Sequence, residues 1–201
     1  MMISLSLESQ PFAWPLKLGQ LFSLALVVSC LSCAAEQPKV QPLAPGVIMP
    51  NLEGESLAGK NVELPKEAAH HVAVIALGFS RSSQYVIEKW MKPFKQEFKN
   101  TSGVIAYTVP VIEGSMGRLA KPFITGGMRK GVSKEDQATF VVVFTSSNDW
   151  RQRMQVGDEN LGYIVLIDQE GRVAWLYRQA YSDDAYNQLV KQVRSLLVPA
   201  P

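Results

Sequence analysis

The feature that most restricts how this chain can fold is the segment Val72-Ala73-Val74-Ile75-Ala76-Leu77-Gly78-Phe79. A run of strand length with no polar side chain suits a β-strand covered on both faces, because a half-exposed strand would alternate. Such a strand requires packing layers on either side. The chain downstream supplies one of them. Ser80, Ser82 and Ser83 offer helix caps, and Ile87, Trp90, Met91, Phe94 and Phe98 form an apolar stripe at helical spacing. Pro93 lies inside that helix and has no donor for the Lys89 carbonyl, which predicts a kink or a break.

The remaining pattern extends the same theme. A strand is predicted over 104–109, ending at Pro110, followed by a weaker helical piece around 115–123 and a loop over 121–131 containing Thr125-Gly126-Gly127. The run Phe140 to Phe144 reads as an extra strand, and Asn148-Asp149 caps a short helix carrying Trp150, Met154 and Val156. Tyr163-Ile164-Val165-Leu166-Ile167-Asp168, the turn Gln169-Glu170-Gly171 and Val173-Ala174-Trp175-Leu176-Tyr177 form a hairpin. A terminal helix from Asp183, capped by Ser182, has Tyr186, Leu189, Val190, Val193 and Leu197 on one face. Upstream, 51–54 and 57–60 read as turns around a short strand at 61–64. This order demands an α/β fold with a mixed central sheet and helices on both faces: a thioredoxin-like three-layer fold with a C-terminal β-hairpin and helix and one extra strand.

Neither length nor charge suggests a nucleic-acid partner. The 201 residues carry a net charge of +2, enough for one ordinary domain plus a leader. The apolar stretch 21–28, preceded by a lone Lys17, is short for a membrane span and reads as a leader. Val27-Val28-Ser29-Cys30 resembles a bacterial lipobox, with Leu31-Ser32-Cys33-Ala34 a poorer second site, so Cys30 and Cys33 are the lipid-attachment candidates. An ordinary signal peptide, an uncleaved anchor, or a cytoplasmic chain with an overlong start are the alternatives. The expected division is 1–33 leader, 34–46 a tether containing Pro38, Pro42 and Pro45, and 47–201 the domain. The expected location is the bacterial cell envelope, periplasm-facing and lipid-anchored, or soluble in the periplasm.

Where relatives of this layout keep a reactive cysteine, at the turn after the first core strand, the chain reads Ser80-Arg81-Ser82-Ser83. Both of its cysteines lie upstream of residue 34. A serine nucleophile would need a base, but the two histidines, His70 and His71, sit at the other end of the strand, roughly 25 Å away at about 3.3 Å per residue. The chain also reads Glu159-Asn160-Leu161-Gly162 where thioredoxins place a cis-proline. No catalytic residue, metal site or cofactor is therefore expected. Binding candidates are Ser80, Arg81, Ser82 and Ser83; the basic run Arg118, Lys121, Arg129 and Lys130, which continues to Lys134 without an acidic residue; and Trp150 and Trp175 if they are exposed.

Several stretches together resemble one family. Asn51-Leu52-Glu53-Gly54, Gly78-Phe79-Ser80-Arg81, Trp90-Met91-Lys92-Pro93-Phe94, and above all Leu161-Gly162-Tyr163-Ile164-Val165-Leu166-Ile167-Asp168-Gln169-Glu170-Gly171-Arg172-Val173-Ala174-Trp175 look like the mitochondrial ATP10 group over residues 47–197. That resemblance implies a thioredoxin-like fold and a role in folding or inserting a membrane subunit of ATP synthase, without thiol chemistry. The expected function is that of a non-catalytic envelope assembly factor or chaperone, whose partner is a membrane or periplasmic protein and which is held at the membrane by its N-terminus. The alternative is a ligand-binding module in which the Ser80–Ser83 turn holds a small anion.

Overall fold

The computed structural model describes residues 40–197, apart from the side chains of 115–119. The leader, Cys30, Cys33 and the first part of the tether lie outside the described residues, as does the side chain of Arg118. The elements are β1 (Leu52–Ser56), β2 (Asn61–Leu64), β3 (Val72–Gly78), α1 (Ser83–Glu97), β4 (Val104–Glu113), α2 (Gly114–Gly131), β5 (Val141–Thr145), α3 (Ser147–Met154), β6 (Gly162–Ile167), β7 (Val173–Tyr177) and α4 (Asp183–Leu197). They build one mixed sheet in the order β2-β1-β5-β4-β3-β6-β7. Strands β3, β4 and β5 are parallel, while β6 runs antiparallel to β3 and pairs with β7.

Strand β3 is buried at all seven positions, as its unbroken apolar run requires. Its residues divide between two cores. Val72, Val74 and Ala76 face α1 and α4 together with Ile164 and Leu166. Ala73, Ile75 and Leu77 face the opposite layer with Trp150, Met154, Leu52 and Leu64. The predicted stripe of α1 is the one that is buried, with Trp90 fully enclosed at its centre.

Four local expectations are corrected. Residues 51–54 are not a turn: Leu52 to Glu55 pair with β2, and the turn of that hairpin is at Gly59, where φ is +83°. Pro93 does not divide α1 into two elements: the helix runs continuously through it, with buried side chains on both sides holding it to the sheet. Strand β4 does not stop at Pro110 but continues to Glu113. Pro110 is the last residue paired with β3, while on its other side β4 is bridged to Phe140 from Thr108 and paired with β5 over Val111–Glu113, which carries the strand past the proline. Residues 121–131 are not a loop, since α2 runs unbroken through Pro122, Gly126 and Gly127.

The tether also ends earlier than 46. Leu43 is buried in the core, its amide donates to the Arg153 carbonyl at 2.8 Å, and the Arg178 guanidinium donates to its carbonyl at 2.6 Å. Further on, the Gly46 amide bonds to the Val173 carbonyl and the Met49 amide to the Gly171 carbonyl. A turn closed by the Val47 amide on the Ala44 carbonyl follows Leu43, and residues 46–48 lie antiparallel beside Arg172 and Val173 at the start of β7.

Candidate functional site

The loop after β3 is held by its own serines. The Ser80 hydroxyl accepts a hydrogen bond from the Ser83 amide at 3.2 Å, and the Ser83 hydroxyl donates back to the Ser80 carbonyl at 2.7 Å. Of the three serines expected as caps, Ser82 holds the N-cap position without a side-chain bond, and Ser80 supplies the hydroxyl that accepts from the first amide of α1. Ser83 is buried, Ser80 is half-buried, and Arg81 and Ser82 are exposed.

Two glycines bring the helix to this position. Gly78 and Gly162 face each other across β3 and β6. A β-carbon on Gly78 would stand 2.6 Å from the Ser83 hydroxyl, and one on Gly162 would stand 2.8 Å from Ile87 Cγ1. The first turn of α1 can lie on the sheet only because both positions lack a side chain. Sequence reasoning missed this pair. The signal was a glycine at the end of one core strand and at the start of another, which acquires meaning only once the antiparallel register is known.

The segment before β6 closes over the loop. The Ser80 hydroxyl donates to the Asn160 side-chain oxygen at 3.3 Å, and the Asp158 carboxylate fixes Asn160 by accepting from its backbone amide at 2.9 Å and its side-chain amide at 3.0 Å. The buried Tyr163 hydroxyl donates to the Asp158 carbonyl at 2.9 Å, and its ring meets Phe79 edge-on at 5.6 Å. Core aromatic packing is in this way connected to the exposed Asn160. Asn160, in the segment where the sequence comparison missed a cis-proline, is the residue facing Ser80.

The chemistry available at this loop is limited. The amides of Ser83, Gln84 and Tyr85 are engaged with Ser80 Oγ, the Arg81 carbonyl and the Ser82 carbonyl. An anion would have to displace those contacts. His71 precedes β3, whereas Ser80 follows it, so no histidine reaches the serines. Among the described residues no cluster of three or more His, Cys, Asp or Glu could hold a metal. What the loop offers to solvent is the Arg81 guanidinium, which makes no hydrogen bond or ion pair among the described residues, and beside it Tyr85, which is 70% exposed.

The basic run is partly committed elsewhere. Lys121 pairs with Glu55 at 2.6 Å and lies 6.0 Å above the Phe144 ring, and Arg129 donates to the Leu57 carbonyl at 2.8 Å. Both tie α2 to the β1–β2 hairpin. Lys130 and Lys134 are exposed, and Phe123 on the same helix is 85% exposed. Trp150 is only 5% exposed and belongs to the core, so it cannot form an accessible surface. Trp175 is half-buried, stacked on Tyr177 at 5.5 Å and 6.3 Å from Trp90, and it joins β7 to α1.

The family model of the ATP10 protein matches residues 40–196. The chain belongs to the ATP10 family. No curated protein matches it. Among solved structures, a protein assigned as the thiol:disulfide interchange protein DsbE of Chlorobium tepidum is similar at 18% identity, with 78% of this chain and 99% of that one covered and a TM-score of 0.53. The thioredoxin domain of a thiol-disulfide oxidoreductase from Bacteroides vulgatus is similar at 20% identity, with 75% and 99% covered and a TM-score of 0.50. At that identity the likeness establishes the thioredoxin-like fold of this ATP10-family chain and says nothing of its activity. The match begins at residue 40, which agrees with the docking of Leu43 onto the domain.

Proposed function

We propose that this ATP10-family chain is a non-catalytic protein of the bacterial cell envelope that binds another protein as an assembly factor or chaperone. The observation that carries the reading is the Ser80–Asn160 loop. It retains the strand, turn and helix head of a thioredoxin-like site, but its hydroxyls are engaged in capping, and among the described residues neither a thiol nor a histidine base stands within reach. A serine hydroxyl has no accessible thiolate-like form, so the loop cannot exchange disulfides. Binding is what a scaffold of this kind retains. The family resemblance supplies the partner class: a membrane subunit of ATP synthase. Lipid on Cys30, with Cys33 as the second possibility, is the proposed attachment, and residues 34–42 are the spacer.

The small-anion reading is less well supported, because the three amides that would bind the anion already have partners.

Deletion of the gene tests the reading directly. Membranes from the deleted strain, resolved on native gels, are expected to show less assembled ATP synthase membrane sector, restored by the intact gene. Unchanged assembly, or measurable insulin-disulfide reduction or peroxide turnover by the purified protein, would contradict it.

A further inference from the structure

Helix α2 has two faces of opposite character. The inner face is fixed to the fold: Lys121 and Arg129 reach the β1–β2 hairpin through Glu55 and the Leu57 carbonyl, and Ile124, Thr125 and Met128 are half-buried. On the outer face Phe123, Gly126, Gly127 and Lys130 recur at the i, i+3, i+4, i+7 spacing that puts residues on one side of a helix. Phe123 is 85% exposed, more than any other large apolar side chain among the described residues. A β-carbon on Gly126 or Gly127 would meet no atom within 4 Å. No side chain therefore rises between the Phe123 ring and Lys130, about 10 Å further along the axis. The outer face has low relief and is uncovered.

Its charge is one-sided. Lys130 and, beyond the end of the helix, Lys134 are exposed and make no hydrogen bond or ion pair among the described residues, and Arg129 is engaged only through Nε. From Gly114 to Lys134 the chain has five basic residues and no acidic one. The next acids are Glu135 and Asp136, and Asp136 is paired with Lys95 at 2.6 Å. A single exposed aromatic side chain is ordinary on a protein surface. An exposed ring among unpaired cations on a smooth helix face is the pattern of an interfacial helix, in which the ring enters the boundary between headgroups and acyl chains while the cations stay level with the phosphates. A bilayer accepts the ring at any point and needs no complementary relief, whereas a protein gripping Phe123 would need a pocket shaped to it.

We infer that the outer face of α2 docks on an anionic bilayer, with Phe123 at the acyl boundary and Arg129, Lys130 and Lys134 toward the phosphate-bearing headgroups. This contact is separate from the Ser80 loop and from lipid on the N-terminus, and it requires neither. Each cation close to an anionic surface raises the partition roughly fivefold, and salt screens the effect.

Vesicles test this on the purified full-length chain with Cys30→Ser and Cys33→Ser, so that no acyl group is attached. An environment-sensitive fluorescent amino acid replaces Gly127, where a side chain has open space, or, as control, the exposed Glu170 in the β6–β7 turn. With phosphatidylglycerol vesicles, emission from position 127 is expected to shift to the blue, while position 170 stays as in water. Phosphatidylcholine in place of phosphatidylglycerol, or salt at about 0.5 M, is expected to remove the shift. Phe123→Ser/Lys130→Glu, at two exposed positions, should leave the melting curve unchanged and lower the partition measured at 127 by about tenfold or more. No shift at 127, an equal shift at 170 or with phosphatidylcholine, or an undiminished partition of the folded double variant overturns the inference. Vesicle binding through the leader alone leaves position 127 in water and counts against it. In native membranes, a photo-crosslinking residue at 127 is expected to give lipid adducts, and capture of a polypeptide there instead would assign this face to a protein and overturn the lipid assignment. None of these readouts involves ATP synthase, so their failure leaves the assembly reading untouched, and failure of that reading leaves this contact standing.

Discussion

Ser80 and Ser83 stand three residues apart at the head of α1, one half-exposed and one buried, with each serine's hydroxyl on the other's backbone. That is the arrangement in which a Cys-x-x-Cys pair functions: the outer sulfur at the helix terminus, the inner one behind it. If only the sulfurs are missing, restoring them should restore a disulfide. With Cys30 and Cys33 replaced by serine, Ser80→Cys/Ser83→Cys is expected to oxidise in air, with the loss of two hydrogens in intact mass and return of both thiols on reduction. A pair that stays reduced would show that the loop has departed from that geometry. The Gly78–Gly162 contact makes a second residue-scale prediction. Gly162→Ala places a methyl within 2.8 Å of Ile87 and is expected to cost about 1–3 kcal/mol, measured by denaturant unfolding. The absence of cysteine from the loop was legible in the sequence, as was the serine turn. The Asn160 contact and the glycine pair were not, because both depend on residues about 80 positions apart meeting across β3 and β6.

Elements with a long apolar period were legible because burial and period agree: β3, α1, the β6–β7 hairpin and α4 all lie where their patterns place them. Elements whose local composition opposes the final state were misread. Strand β1 contains Gly54 and α2 contains Pro122 and a Gly-Gly pair, so both take their form from tertiary pairing rather than propensity. Pro93 is the sharpest instance. It lies in a continuous helix and deprives the Lys89 carbonyl of its donor, so Pro93→Ala is expected to keep the fold and to raise stability by roughly 1 kcal/mol, with undiminished helical circular dichroism. Loss of the fold would mean that the proline ring is itself part of the packing. At the other end of the sheet, Glu113 caps α3 by accepting from the Ser147 hydroxyl at 2.6 Å and the Ser147 amide at 3.1 Å. The hydroxyl, then the amide, holds the Glu113 carboxyl below its ordinary 4.5. A pKa depressed by folding stabilises the native state above the unfolded value, and that contribution is lost as the pH falls through the folded one. Glu113→Gln should therefore lower Tm at neutral pH, with the difference from wild type shrinking as the pH falls through the depressed folded-state pKa. A difference that grows on acidification would contradict the capping role.

At the scale of the whole molecule, the described residues form an ATP10-family thioredoxin-like domain with the segment 43–49 docked against it. The domain class could be read from the order of elements, but the docking of 43–49 could not, since a Pro-rich stretch reads as a spacer and only the buried Leu43 shows where packing begins. The central claim is that such a scaffold acts through the surface around its emptied loop rather than through chemistry at it. The direct measurement is the amount of assembled ATP synthase membrane sector, on native gels, in cells whose only copy of the gene encodes Arg81→Ala/Tyr85→Ala, with the protein level matched to wild type. Both side chains are exposed and Arg81 makes no bond within the described fold, so the variant is expected to fold with an unchanged melting curve. Assembly falling to the level of the deleted strain is the expected result; assembly equal to wild type, with the variant folded and present, would contradict the claim.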